Sequence, residues 1–264
     1  MQKERKRFEK HNGVKDGFEA PENLVAGRNA VKELFADGRT VDKLLVQTGA
    51  REGSVLPLIA KARERGIPVI DTDKRKLDQM AGGSFHQGVI ALTAAKEYCS
   101  VDDILAIADS RGELPLILVL DGVEDPRNLG AIIRCAEGAG AHGVIISKRH
   151  SAGLSPVAVK TSAGALEHMA VAKVANIASC IEALKEKGVW TFCADMDGEC
   201  FKEAPFDRAA AIVLGNEGEG VSRLVKEKCD YTVSIPMYGK ISSLNVSASA
   251  GILLYDAAMK QRNK

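Results

Sequence analysis

The sequence has little of what defines a metal site, a disulfide framework or a membrane span. Its six cysteines include no Cys-x-x-Cys pair and have no histidine pair nearby, so neither zinc ligation nor a disulfide scaffold is predicted. The longest purely apolar run, Leu114–Leu120, is far too short to cross a bilayer. We therefore expect a cytoplasmic protein with reduced thiols and with neither a metal nor a membrane as partner.

The chain also has almost no excess of charge of either sign, and it has few aromatic side chains. The chain carries 36 Lys and Arg against 35 Asp and Glu, and 5% of its 264 residues are aromatic. The whole molecule is therefore not attracted to polyanions, and it offers few platforms for base stacking. Basic residues concentrate at the start of the chain, and we predict that residues 1–21 form a disordered tail. A basic arm that binds nucleic acid is the alternative.

Helix-like and strand-like segments alternate along the rest of the chain, which predicts an α/β protein. Residues 22–95 form a first α/β domain, and residues 96–113 form a linker with a helix capped by Ser100. Residues 114–264 contain stronger, nearly continuous apolar strands, which favour a mostly parallel sheet covered on both faces. The predicted strands are 41–47, 67–71, 87–95, 114–122, 142–147, 189–196, 210–215 and 231–236.

A glycine-rich turn, IVLGNEGEGVS, occupies residues 212–222 and follows one of these strands. The dinucleotide fingerprint places glycines at i, i+2 and i+5 in the first βα unit. Here Gly215, Gly218 and Gly220 stand at i, i+3 and i+5, late in the domain. A Walker A loop would end in Gly-Lys-Ser/Thr, and this turn ends in Gly-Val-Ser. Neither phosphate-binding pattern is met.

Two acids in the turn, Glu217 and Glu219, point to a different ligand. Carboxylates beside a pyrophosphate would repel it by several kcal/mol at about 4 Å. A ligand without phosphate and with a positive charge avoids this repulsion, and S-adenosylmethionine (AdoMet) has both properties. A solvent-exposed turn with two ordinary acids is the alternative.

Two further segments carry polar residues next to predicted strands. In residues 120–134, a helix is predicted from about Asn128, with Arg127 and Arg134 together away from its apolar stripe. Such a pair could hold an RNA phosphate or ribose, or it could be a solvated face. In residues 235–251, a strand ending in proline leads to a helix that we expect Ser243 to cap. An apolar stripe is predicted on that last helix, comprising Ala248, Gly251, Ile252, Tyr255 and Met259.

Taken together, these segments resemble the SPOUT superfamily, specifically the SpoU (TrmH-like) RNA ribose 2′-O-methyltransferases and their RlmB-like branch. Residues 125–140, 212–222 and 235–256 are similar to the three motifs of that family, in order. Residues 24–35 and 82–92 resemble the opening and closing segments of its substrate-binding domain. The resemblance therefore covers nearly all of residues 22–260.

This resemblance implies a C-terminal SPOUT domain with a deep trefoil knot, a smaller N-terminal RNA-recognition domain, and a homodimer formed through the knotted domain. The implied cofactor is AdoMet, and the implied substrate is a guanosine ribose of large-subunit (23S) rRNA. A tRNA ribose, a catalytically silent RNA-binding protein of the same fold and a nucleotide-dependent oxidoreductase are the alternatives.

The resemblance also assigns individual residues. The catalytic positions are Arg134, Asn128, Glu217, Ser243 and Asn245. Since a guanidinium donates hydrogen bonds and does not accept them, we assign Arg134 to orientation and charge stabilisation. Cofactor contacts are expected from Leu214, Gly215, Asn216, Gly220, Ile235, Met237, Ser243 and Leu244. RNA contacts are expected from Arg127, Arg28 and His86, although His86 could instead be a structural hydrogen-bond partner.

Overall fold

The structure is a computed structural model that describes residues 23–50 and 52–263. The predicted tail at residues 1–21 lies outside the described residues. Helices and strands alternate throughout, as the sequence predicts, and they form two sheets. Among the described residues, no helix is both long and apolar enough to cross a membrane.

The first domain contains a four-stranded sheet in the order β1-β4-β2-β3. Strands β2 and β3 are parallel, whereas β4 is antiparallel to both β1 and β2. Apolar side chains pack on both faces of the sheet, with Phe35 and Leu44 on one side and Leu77 and Ile90 on the other. The elements are β1 (Leu24–Ala26), α1 (Arg28–Ala36), β2 (Val41–Gln47), α2 (Leu56–Glu64), β3 (Val69–Thr72), α3 (Lys74–Ala81) and β4 (Val89–Thr93).

The second domain contains a six-stranded parallel sheet in the order β10-β8-β9-β5-β6-β7. Its strands are β5 (Leu116–Asp121), β6 (Gly143–Ser147), β7 (Val171–Val174), β8 (Trp190–Cys200), β9 (Ala210–Gly215) and β10 (Tyr231–Ser234). Its helices are α5 (Pro126–Ala139), α6 (Pro156–Ser162), α7 (Ala165–His168), α8 (Ile177–Glu186), α9 (Arg223–Lys228) and α10 (Val246–Arg262).

The core of the second domain lies on both faces of its sheet, as the continuous apolar strands predict. Leu118 and Leu120 of β5 face one cluster, and Ile117 and Val119 face the other. This alternation confirms a parallel sheet covered on both sides. Because all six strands run in the same direction, their carboxyl ends lie along one edge, where ligand sites form in such sheets.

The linker between the two sheets contains helix α4 (Val101–Arg111), capped by Ser100 as predicted. Asp103 completes a capping box by accepting the backbone amide of Ser100. The helix buries Ile104 in the core of the six-stranded sheet. The backbone of Cys99 forms an isolated parallel β-bridge with Ala172 of β7. The linker therefore packs against the second domain along its length.

Three local predictions were incomplete or wrong. Helix α5 begins at Pro126 after the N-cap Asp125, and not near Asn128. Helix α10 is capped by Asn245, whose side chain accepts the amide of Ser247, so the cap predicted at Ser243 is wrong. The strands β1 and β7 were not predicted, because β1 has only three residues and Lys173 interrupts the short apolar run of β7.

The stripe predicted on α10 is the exposed face of that helix. Ile252, Tyr255 and Met259 are exposed, whereas Leu253 and Leu254 are fully buried. Both faces of α10 carry apolar residues, so the sequence pattern does not show which face packs on the sheet.

A buried polar cluster joins the two domains. Asp42 of β2 pairs with Lys173 of β7 at 2.6 Å, and both side chains are almost fully buried. Tyr98 of the linker donates to the same carboxylate at 2.6 Å and accepts the amide of Leu154. Burial and the neighbouring Asp42 raise the pKa of Tyr98 far above its ordinary value, so the hydroxyl stays protonated.

Candidate active site

A cavity of about 350 Å³ opens beside the middle of β8 and at the carboxyl ends of β9 and β10. This volume lies within the usual range of small-molecule sites, about 300–1,000 Å³. Among the residues that the structure describes, the walls include the carboxylates of Asp195, Glu217 and Glu219 and no Lys, Arg or His side chain. The eight residues expected to contact the cofactor all line this one cavity, namely Leu214, Gly215, Asn216, Gly220, Ile235, Met237, Ser243 and Leu244.

The glycine-rich turn closes on itself beside this cavity. Asn216 and Gly220 exchange both of their backbone hydrogen bonds, at 3.1 and 2.9 Å. A Cβ on Gly215 would collide with the carbonyl of Gly220, so the first glycine is required by the closure of the turn. The side-chain oxygen of Asn216 accepts the amides of Gly218 and Glu219 at 2.6 and 3.3 Å. The unusual glycine spacing therefore fits a compact turn that is stabilised by hydrogen bonds between its own residues.

Three polar side chains from the three motifs form a hydrogen-bonded triangle. The amide nitrogen of Asn245 donates to Oε1 of Glu217 at 2.8 Å and to Oδ1 of Asn128 at 3.1 Å. The amide nitrogen of Asn128 donates to the same Glu217 oxygen at 2.8 Å. Helix α5, the glycine-rich turn and helix α10 are thus linked at one point. We refer to Asn128, Glu217 and Asn245 as the polar triangle.

Asn245 has a second role that fixes its orientation in the triangle. Its Oδ1 accepts the backbone amide of Ser247 at 2.9 Å and the Ser247 hydroxyl at 2.5 Å, which caps helix α10. Because the oxygen faces the helix, the amide group faces Glu217 and Asn128. This explains why an asparagine stands where helix propensity alone does not favour one.

The two predicted arginines lie on the exposed side of α5. Arg127 and Arg134 are both exposed, and no described residue accepts a hydrogen bond from either guanidinium. Arg134 stands six residues after Asn128, which is about 9 Å along the helix axis. Within one chain, the structure brings together three of the five predicted catalytic residues and leaves Arg134 outside the polar triangle. Ser243, the fifth, is exposed and lines the cavity without joining the triangle.

The middle of β8 contributes residues to the cavity that sequence analysis missed. Ala194, Asp195 and Met196 line it, and Asp195 pairs with Lys226 of α9 at 2.9 Å. Partial burial opposes the charge of Asp195, but the amide of Asp197 and the ammonium of Lys226 hold its pKa below the ordinary value. The sequence signal for this residue was an acid, Asp195, near the end of the strand predicted at 189–196. In the structure, this strand lies beside β9, which leads into the glycine-rich turn.

A second polar pocket lies in the first domain and contains the predicted RNA contacts Arg28 and His86. Arg28 donates to the carbonyl of Gln87 at 3.0 Å and to the Ser54 hydroxyl at 3.0 Å. Both ring nitrogens of His86 are engaged within the domain, one with Asp78 at 2.8 Å and one with the amide of Gly88 at 3.0 Å. This geometry favours the structural alternative for His86.

The neighbouring Phe85 is 82% exposed at the same pocket. Sequence analysis did not single it out. The position of this ring, beside Arg28, is suited to stacking against an unpaired base.

Family models match both parts of the chain. A model described as the SpoU rRNA methylase family matches residues 115–255. A model described as RNA 2′-O ribose methyltransferase substrate binding matches residues 24–99.

Similar proteins are found among curated sequences and solved structures. The chain is 42% identical over 240 residues to YacO, a TrmH family tRNA/rRNA methyltransferase of Bacillus subtilis, covering 90% of this chain and 96% of that protein. It is 38% identical over 243 residues to a TrmH family tRNA/rRNA methyltransferase of Staphylococcus aureus, covering 92% and 98%. The solved SpoU methyltransferase AviRb of Streptomyces viridochromogenes, in complex with AdoMet, is 27% identical with a TM-score of 0.57 and 91% of each chain covered.

Proposed function

The chain belongs to the SpoU rRNA methylase family of RNA methyltransferases, and we propose that it transfers a methyl group from AdoMet to a ribose 2′-hydroxyl of RNA. The observation that carries this proposal is the position of the polar triangle beside a cavity where all charged side chains from the described part of the chain are acidic. The match of residues 24–99 to a ribose methyltransferase substrate-binding model supports the 2′-hydroxyl as acceptor.

The residues of the cavity fit AdoMet. The carboxylates of Glu217 and Glu219, which form no salt bridge with a described residue, favour the positive sulfonium and amino groups and disfavour phosphate. The apolar side chains of Leu214, Ile235 and Met237 offer contact to an adenine ring, and the backbone of the compact turn offers donors and acceptors. When bound there, AdoMet would supply an electrophilic methyl group; the eight cavity residues named above would hold it.

The polar triangle positions the groups around the acceptor ribose. Oε1 of Glu217 already accepts two amide hydrogens, so we assign this carboxylate to holding Asn128 and Asn245 in place. Arg134, exposed and without an acidic partner among the described residues, is assigned to the RNA phosphate near the reacting nucleotide. Its role is to orient the acceptor and stabilise negative charge, because a guanidinium is a poor base.

We propose that the enzyme is a homodimer formed through the second domain. Ala248, Ile252, Tyr255 and Met259 form an exposed apolar face on α10, which would be costly to leave in water. The Tyr255 hydroxyl lies over Gly138 of α5, so the same face extends towards the helix that carries Arg134. Dimerisation there would bring Arg134 close to the partner chain.

We propose a deep trefoil knot in which the C-terminal segment passes through a loop. We also propose a cytoplasmic location, consistent with six free thiols among the described residues. The proposed substrate is a guanosine ribose of large-subunit rRNA, and tRNA is the second candidate because curated relatives are named for both RNAs. Arg28 and Arg127 are proposed RNA contacts, together with Phe85.

One experiment tests the function and separates the two substrates. Purified protein is incubated with labelled AdoMet and with either total rRNA or total tRNA from a strain that lacks the gene. Label should appear in rRNA as a 2′-O-methylated nucleoside after complete digestion. Label in tRNA alone would replace the substrate assignment, and binding of RNA without transfer would establish the silent RNA-binding alternative.

A further inference from the structure

A large groove, of about 960 Å³, separates the two domains. One wall is formed by the end of α2 and by β3, the edge strand of the first sheet. The other wall is formed by residues 148–151, which follow β6 at the carboxyl edge of the second sheet. The groove is larger than the cavity proposed for AdoMet and is lined by both domains.

Positive charge dominates the walls. Of the described residues, four with lysine or arginine side chains line the groove (Lys43, Arg63, Lys148 and Arg149), and Glu124 is the only one of its lining residues with a carboxylate. Glu124 faces His150 at 3.6 Å. The ammonium of Lys43 donates to the carbonyl of Ser151 and so belongs to the wall. Since the whole chain has a net charge of +1, this concentration of cations is a local feature and does not follow from composition.

The other three cations have no acidic partner among the described residues. Arg63 and Arg149 are exposed and Lys148 is partly exposed, and none of them forms a salt bridge with a described residue. They stand on both walls, Arg63 on the first domain and the other two on the second. A surface of this kind attracts phosphate groups from both sides.

The groove and a small cavity at the proposed catalytic centre share one lining residue. Glu124 lines the groove and also lines a small cavity with Asn128 and Glu217 of the polar triangle. An RNA strand with its acceptor ribose at the triangle could therefore continue into the groove.

The two walls are held at a defined separation. The Asp42–Lys173 pair and the Lys43–Ser151 hydrogen bond cross between the domains beside the groove. At its rim, Lys148 reaches the first domain, with Nζ 3.1 Å from the position of a Cβ on Gly66. RNA binding would therefore cost little free energy for fixing the two domains relative to each other.

We infer that this interdomain groove binds the phosphate backbone of the substrate RNA next to the methylated nucleotide, through Arg63, Lys148 and Arg149. The inference rests on the proposed function and extends it with a surface outside the three motifs. Base identity is not read there, because phosphate contacts set position and register but carry no sequence information.

The test removes these three charges in the full-length chain. The variant Arg63→Gln/Lys148→Gln/Arg149→Gln is compared with the control Lys32→Gln/Arg39→Gln/Arg111→Gln, which removes three exposed charges outside the groove. Affinity for total rRNA from a strain lacking the gene is measured between 50 and 200 mM salt, together with AdoMet affinity. The groove variant should bind RNA about tenfold to a hundredfold more weakly, and its salt slope should fall by about 2, close to 0.7 for each lost contact with a single strand.

Kinetics separate the possible outcomes. KM for RNA should rise in the groove variant, while kcat at saturating RNA and AdoMet affinity should stay within about twofold of the parent value. The single variant Arg149→Gln should change the salt slope of RNA affinity by about a third of the change seen in the triple groove variant. If the parent methylates RNA and the groove variant matches the control in affinity and slope, the groove inference is wrong and the proposed function stands. If the parent neither binds nor methylates RNA, the proposed function fails and the inference falls with it.

Discussion

The side-chain nitrogen of Asn245 lies 2.8 Å from Oε1 of Glu217, which ties the first turn of the last helix to the glycine-rich turn. The other polar atom of Asn245 caps that helix through Ser247. A single residue therefore couples a local structural role to the geometry of the proposed active site. Substitutions at this position can separate the two roles.

Replacing Asn245 by Asp should inactivate the enzyme with little effect on the helix. The new carboxylate keeps an oxygen for the Ser247 amide, but it removes both donors and places a negative charge against Glu217. We expect kcat/KM for methyl transfer to fall by about a hundredfold or more, as when a positioned polar group is lost at an active site.

Asn245→Ala should lose activity and in addition about 1 kcal/mol of stability, the usual value of an N-cap. The matched control is Ser100→Ala, which removes the N-cap of α4 away from the site. It should lower the free energy of unfolding in urea by a similar amount and leave kcat/KM unchanged. Full activity in Asn245→Asp would contradict the role assigned to the polar triangle.

Arg134→Ala should abolish methyl transfer and leave AdoMet affinity nearly unchanged. The side chain is exposed, it does not line the proposed cofactor cavity, and its assigned partner is RNA. Loss of a charged contact that orients the acceptor should lower kcat/KM by about a hundredfold or more. Rates are measured with labelled AdoMet and AdoMet affinity by calorimetry. Arg111→Ala, an exposed arginine of α4, serves as the control, and a parental rate in Arg134→Ala would remove this residue from the mechanism.

Gly215→Ala should disrupt the cavity proposed for AdoMet. The added methyl would collide with the backbone of Gly220 where the glycine-rich turn closes. Forcing extra volume into a packed site typically costs about 1–3 kcal/mol, so we expect AdoMet affinity to fall by at least about tenfold. Gly239→Ala is the matched control, because a Cβ there meets no atom within 4 Å. Equal AdoMet affinity in the two variants, measured by calorimetry, would show that closure of the turn does not shape the ligand site.

Asp42→Ala should destabilise the protein strongly, because it leaves the Lys173 ammonium buried without its partner. Breaking one side of a buried ion pair typically costs about 3–5 kcal/mol. The double variant Asp42→Ala/Lys173→Met should recover part of that loss, since no unpaired charge remains. Urea unfolding measures both variants, and Arg223→Ala, which breaks an exposed pair with Glu227, should change little. A double variant less stable than Asp42→Ala would contradict this account.

Tyr255→Glu should dissociate the proposed dimer. The substitution places a charge in the exposed apolar face of α10, next to Gly138 of α5. An uncompensated charge in an interface costs several kcal/mol, which lowers dimer affinity by about a hundredfold or more. Sedimentation equilibrium measures the association constant. Leu224→Glu, an exposed apolar residue on α9, provides the control. If Tyr255→Glu sediments as the parent does, this face is not the interface.

Much of the fold was predictable from local patterns. Continuous apolar runs such as residues 210–215 predict buried parallel strands, and these strands are present. Ser100 was recognised as a helix cap because a cap depends on residues only three positions away. The glycine spacing and two acids excluded a phosphate site for the same reason, since they concern a turn of six residues.

Sequence patterns did not predict which residues far apart in the chain are in contact. Asn128 and Glu217 are 89 positions apart, and they touch because β9 pairs with β5 in the sheet order. Asp42 and Lys173, 131 positions apart, pair because β7 ends beside the first domain. Hydrophobic periodicity cannot predict such contacts, because it describes a single helix or strand. The order of strands is a property of the whole sheet.

The sequence by itself therefore determined which elements form and which chemical groups are available, because those depend on neighbours within a turn or two of chain. The tertiary structure decided that Asn245, and not Ser243, caps the last helix while completing the polar triangle. It also placed Asp195 at the cavity and turned Tyr255 outwards. These outcomes depend on how sheets and helices pack, and packing is settled by the free energy of the whole domain.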